Sequence, residues 1–270
     1  MRIGFGRLFG RLGRIFGEQW IGESPMLAFS QHLNQSLERA AAFAERLPED
    51  VTSAHLLLAL TDDPDAAPVM QACNVDLEQL RRAVLASIPA TDSAPLSDEK
   101  GPRFSQGFQA DLERASVHVQ STGRQEINGA DVLVVMLAGP AAGFLQAQGM
   151  TRYDATTFIS HGIIKNAQAA PRNADEVAAQ TSSAGTAGSP MSSVRLLNDE
   201  FTPMEFVVHV LNEVFGLEHD DAVRVMLQTH LQGMGACGTY PPEEAQAKAA
   251  KVMDLARQHQ HPLRCFCNEA

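Results

Sequence analysis

Apolar positions recur at helical spacing through the first two thirds of the chain, and they recur twice. Leu33, Leu37, Ala40, Ala41 and Ala44 fall on one face of a predicted helix. His55 to Leu60 reads as a short buried helix behind Thr52 or Ser53 as its N-cap. The segment FSQHLNQSLERA, Phe29 to Ala40, returns as FSQGFQADLERA, Phe104 to Ala115, and VTSAHLLLAL from Val51 is echoed by INGADVLVVML from Ile127. The period is about 75 residues. One copy has too little partner surface to cover its own apolar face. Two copies packed by pseudo-twofold symmetry cover each other, so residues 26–165 are expected to form one all-helical domain.

Two polar segments punctuate this pattern. PATDSAPLSDEKGPR, Pro89 to Arg103, separates the copies and reads as a surface connection. Residues 166–193 are rich in Ala, Ser, Gly and Thr, contain no large apolar residue except Val177 and Met191, and read as a flexible linker. Beyond them the period changes. Val194 to Leu197 is a predicted strand, and Thr202-Pro203-Met204-Glu205 reads as a capping box opening a helix whose apolar face is Val207, Val208, Leu211, Val214 and Phe215, closed by Gly216. A second helix is expected over 220–231, MGACGTY as a strand, a third helix after Pro241-Pro242, and LRCFC as a final strand with Leu263, Cys265 and Cys267 on one face. Residues 194–270 are thus expected to be a small α/β domain of order β-α-α-β-α-β.

Composition adds exclusions. The formal net charge of -11 repels phosphates and argues against nucleic acid as a partner. Four cysteines, three of them near the C-terminus, do not make a disulfide framework, which favours a reducing cytoplasm. No apolar run reaches the length that spans a bilayer. The first twenty residues interleave Arg2, Arg7, Arg11 and Arg14 with Phe5, Leu8, Phe9, Leu12, Phe16 and Trp20. Two readings of residues 1–25 stay open, a basic amphipathic helix on an anionic membrane and a non-native extension; the glycines at 4, 6, 10 and 13 weigh against the helix.

Two family resemblances rest on these residues. LLNDEFTPMEFVV, MLQTHLQG, CGTYPPEEAQAKAAKV and HPLRC occur in order through residues 194–270, which resemble the ClpS adaptor over its folded length. The doubled repeat, SAHLLLAL, NVDLEQLR and FISHG make residues 26–165 similar to the N-terminal domain of the ClpA unfoldase. The resemblance implies a binder of N-degrons, substrates with destabilising N-terminal residues, that passes them to a ClpA-like unfoldase and its ClpP peptidase. A free α-amino group is a cation with three donors and needs acceptors without a competing cation. Asn198 and Asp199 supply an amide oxygen and a carboxylate, and neutral His230 a ring-nitrogen acceptor.

The resemblance also implies an apolar pocket lined by Met204, Val207, Met226, Thr229 and Leu263, with the Thr202 hydroxyl near the ligand backbone. In the family the residue at Met204 gates against β-branched N-termini, so Leu, Phe, Tyr and Trp are the expected first residues. Glu200 departs from relatives that carry a second aspartate there. Glu243 and Lys248 match the ClpS face that contacts the ClpA N-domain. A linker of about 28 residues has a root-mean-square span of about 30 Å, enough for that face to dock in cis on the helical domain.

The chain contains no G-x-x-x-x-G-K-[ST], G-x-S-x-G or H-E-x-x-H, so neither ATP hydrolysis nor peptide hydrolysis is expected of it, and no cofactor. His259, His261, Cys265 and Cys267 are spaced more tightly than zinc modules, and no metal is expected. Two functions follow: an adaptor that delivers N-degron substrates, or a decoy that binds them, or Clp components, without delivery.

Overall fold

The computed structural model describes residues 27–44, 50–88, 103–165 and 191–269. The arginine-rich segment 1–25, nearly all of the connector 89–103 and residues 166–190 of the expected linker lie outside the described residues. The chain separates into two compact units, one of residues up to Gln71 with Val75–Gln148, the other of Ala72–Asn74 with everything from Gly149.

In the first unit the repeat is visible as geometry. Helices α1 (Gln31–Ala44) and α2 (Ser53–Leu60) correspond to α5 (Gln106–Ser121) and α6 (Gly129–Met136), while α3 (Ala66–Ala72), α4 (Leu77–Ser87) and α7 (Ala142–Gln146) fill the remainder. Equivalent residues perform equivalent tasks: Ser30 Oγ accepts from Leu33 N as Ser105 Oγ does from Phe108 N, and Asn34 donates to the Phe29 carbonyl as Gln109 does to that of Phe104. The residues entering each helix pair across the copies. Ala28–Phe29 (β1) runs parallel to Glu126–Ile127 (β2), and Val51 bridges Phe104 in parallel. The helical pattern does not announce these short strands, because two residues carry no readable alternation. Leu33, Leu37, Leu56, Leu57, Phe108 and Leu133 form the core with essentially no exposed surface.

The second unit opens with helix α8 (Arg152–His161), capped by Thr151, whose hydroxyl accepts from Asp154 N, and ended by Gly162 in the left-handed region at φ 66. It continues as β3 (Ser192–Leu197), α9 (Met204–Phe215), α10 (His219–Gln232), β4 (Met234–Tyr240), α11 (Pro242–Gln258) and β5 (Arg264–Glu269), the order expected from the sequence. The three strands form an antiparallel sheet in the order β4-β3-β5. Strand β3 begins at Ser192, two residues before the expected strand and inside the expected linker, because Ser192 and Ser193 are paired on both sides. Val194, Leu196, Cys237 and Cys265 point to one face and pack with Val210, Leu211, Ala222, Ala249 and Val252 of the three helices. Burial there pushes the Cys237 thiol up to about 12, so it behaves as a small apolar side chain.

Candidate functional site

The loop between β3 and α9 is built around one carboxylate. Asp199 Oδ1 accepts from the backbone N–H of Phe201 at 2.8 Å and of Thr202 at 2.7 Å, and Oδ2 accepts from the Thr202 hydroxyl at 2.8 Å. Thr202 is therefore not the N-cap of α9. That position belongs to Pro203, whose extended conformation, φ -60 and ψ 141, delays the helix by one residue and leaves the Thr202 hydroxyl free to donate to Asp199. Phe201, two residues on in the same loop, is buried. Asp199 keeps one acceptor position on Oδ2 unfilled by its own loop, and the residue is only half-buried.

A second anchor fixes the loop to helix α10. The Asn198 N–H donates to the Gly233 carbonyl at 2.9 Å, and Gly233 is the left-handed cap of α10 at φ 78. This bond draws the acceptor loop to the last turn of the helix, where His230 is exposed. Strand β4 then returns against α10 so closely that a Cβ on Gly235 would lie 2.0 Å from Thr229 Oγ1 and 2.8 Å from the Val225 carbonyl. Glycine is the residue that permits the approach. Thr229 is buried, and its hydroxyl is spent on Val225 O at 2.8 Å.

Of the expected pocket residues, Val207, Met226 and Leu263 are buried in one apolar cluster with the sheet. Met204, on the first turn of α9, is 41% exposed. Glu200 and Glu243 are exposed. Lys248 is partly turned inward. Its ammonium donates to the Val214 carbonyl at 2.9 Å, satisfying the end of α9, lies 4.8 Å from the Tyr240 ring centroid, and pairs with Glu244 at 3.6 Å. With its side chain 21% exposed, Lys248 ties α11 to α9, and only part of it faces outward.

The turn that carries Leu263 has partners that spacing along the chain does not reveal. His161 Nε2 lies 2.9 Å from the Pro262 carbonyl, and the Tyr153 N–H donates to Gln260 Oε1 at 3.3 Å. The His261 and His259 rings stand 4.6 and 5.1 Å from that of Phe206 on α9. Burial holds the imidazoles of His161 and His261 below their usual pKa, and Asp199 partly opposes this in both. Among the described residues no group of three or more His, Cys, Asp or Glu side chains converges as metal ligands do, and no helix is long and apolar enough to cross a membrane. A cleft of about 430 Å³ in the first unit is lined by Gln79, Ala83, Pro140 and Phe144 among others, and by none of the expected site residues.

Residues 187–266 match the ATP-dependent Clp protease adaptor protein ClpS, and residues 28–148 match the Clp repeat (R) N-terminal domain. The ClpS adapter protein of Aromatoleum aromaticum is 47% identical over 100 residues, which cover 37% of this chain and 98% of that one. The chain belongs to the ClpS adaptor family. Its helical half is a Clp repeat domain: the ClpA homolog protein of Fuscovulum blasticum is 46% identical over 145 residues, 52% of this chain and 18% of that protein. This chain therefore spans less than one fifth of that ClpA homologue's length. Among solved structures, Agrobacterium tumefaciens ClpS2 bound to L-phenylalaninamide is 32% identical and covers 31% of this chain and all of that one, with a TM-score of 0.30. Residues 149–186, which include α8, fall between the two family matches.

Proposed function

We propose that this ClpS-family chain is a non-enzymatic cytoplasmic adaptor that binds substrates by a free N-terminal amine joined to a bulky hydrophobic residue and hands them to a ClpA-ClpP-like protease. The observation that supports this reading is a partly exposed carboxylate with an acceptor position its own loop leaves unfilled, Asp199, on the loop that leads into α9, the helix that carries exposed Met204 and contributes Val207 to one buried apolar cluster with Met226 and Leu263. An α-ammonium is a compact cation that pairs with the carboxylate and with the Asn198 and His230 acceptors, while the adjoining side chain enters the apolar set. Methionine at two of those positions adapts to rings as readily as to leucine.

Fluorescence anisotropy with peptides beginning Phe or Leu tests the binding, with L-phenylalaninamide as competitor and N-acetylated peptides as control. Acetylation removes the cation and abolishes binding; equal affinity for acetylated and free peptides refutes the reading. A degradation assay with ClpA, ClpP and a Phe-initial reporter tests delivery: acceleration supports an adaptor, whereas inhibition identifies sequestration.

A further inference from the structure

Helix α8 ends in the FISHG motif of the helical-domain resemblance, yet it falls in the second compact unit, where two contacts join it to the turn between α11 and β5 and a third joins it to the last turn of α11. The Tyr153 N–H donates to Gln260 Oε1 at 3.3 Å, His161 Nε2 meets the Pro262 carbonyl at 2.9 Å, and the Arg257 guanidinium lies 5.8 Å from the Tyr153 ring centroid. Gln260 sits at φ 58, a left-handed conformation that a side chain with a Cβ adopts where its surroundings hold it there. On its other side the same turn meets the pocket helix, through the His261 ring at 4.6 Å from Phe206, the neighbour of Val207. Pro262 is buried, so its carbonyl needs a partner, and His161 supplies one. Leu263, the next residue, is 1% exposed within the apolar cluster.

We infer that His161 is a positioning residue for N-degron binding: by holding the Pro262 carbonyl it fixes the turn that sets Leu263 in one cluster with Val207 and Met226, and with it the floor of the side-chain pocket. The inference rests on the N-degron reading above. It gives α8, which lies in the same compact unit as the adaptor elements, a part in shaping the pocket. The bond requires a proton on Nε2, and burial of the ring favours the neutral imidazole that carries a single N–H.

The test uses the full chain with His161→Leu, which removes the donor, and His161→Gln, whose amide nitrogen reaches the place of Nε2. Two quantities are read: the Kd for a Phe-initial peptide, and hydrogen exchange at the Leu263 and Arg264 amides. His161→Leu weakens the peptide about tenfold, the loss of one buried hydrogen bond, and speeds exchange at both amides. His161→Gln restores both. Unchanged exchange in His161→Leu, or a glutamine variant no better than the leucine one, overturns the positioning role while leaving N-degron binding intact. A wild-type chain that does not bind the Phe-initial peptide overturns the N-degron reading, and with it any role of His161 in binding.

Discussion

Replacing Asp199 separates the two tasks that the proposed function gives to one carboxylate. The side chain accepts three hydrogen bonds from its own loop and leaves one position on Oδ2 unfilled by it, which the proposal assigns to an incoming ammonium. Asp199→Asn keeps the Oδ1 acceptor for the Phe201 and Thr202 amides. Its NH₂ faces the Thr202 hydroxyl, which turns from donor to acceptor, so the loop survives while the charge is lost. A hydrogen bond to a charged group contributes about 1.5–3 kcal/mol, and half-exposure of Asp199 places this one toward the lower end, about 1–2 kcal/mol, or about a 5- to 30-fold loss of affinity. Asp199→Ala loses the charge and strands two backbone N–H groups as well. It costs about 1–2 kcal/mol of fold stability in addition, a fall of roughly 4–8 °C in Tm for each kcal/mol in a small domain. Anisotropy with free and acetylated Phe-initial peptides, alongside calorimetry of both variants, measures the two effects separately. If Asp199→Asn keeps wild-type affinity for the free amine, or melts as early as Asp199→Ala, the carboxylate is only a turn former and the amine-site argument fails.

Three further outcomes follow from the same geometry. Met204→Ala admits Ile- and Val-initial peptides at the expense of discrimination, with stability changed by less than about 0.5 kcal/mol because the residue is 41% exposed; a peptide array that ranks first residues identically for variant and parent contradicts this. Lys248→Met lowers stability by about 1 kcal/mol by stranding the Val214 carbonyl, so exposed Glu243→Lys is the cleaner test of docking on a ClpA-type N-domain, read by pull-down with Tm unchanged. Because burial depresses the pKa of His161 in the folded chain, the unfolded chain binds the extra proton. Its contribution is complete above the ordinary imidazole value and is lost as pH falls through the lowered folded value, so amide protection of α8 declines on acidification below about pH 6.5 and is flat above it.

The β-α-α-β-α-β order was legible because each element announces its period: LRCFC alternates, and Val207, Leu211 and Val214 recur at helical spacing. The helical repeat was legible because its residues recur in kind. Thr202 was misassigned as a cap since Thr-Pro followed by Glu is chemically a good helix start, and the competing acceptor, Asp199, wins only once the loop closes on itself. The inward turn of Lys248 depends on a carbonyl at the end of another helix. The partnership of His161 with Pro262 joins residues about a hundred positions apart, beyond the reach of any periodicity.

The crossed pairing in the helical domain has a kinetic consequence. The first copy's entry to α1 is closed by β2 of the second, and the second copy's entry to α5 by Val51 of the first. Neither copy can therefore complete the backbone pairing of the residues entering its helices before the other arrives, although each helix is capped from within its own copy, and both closures span long loops. The doubled unit must condense in one step rather than repeat by repeat, so during synthesis the first copy waits, unprotected, until Ile127 has left the ribosome.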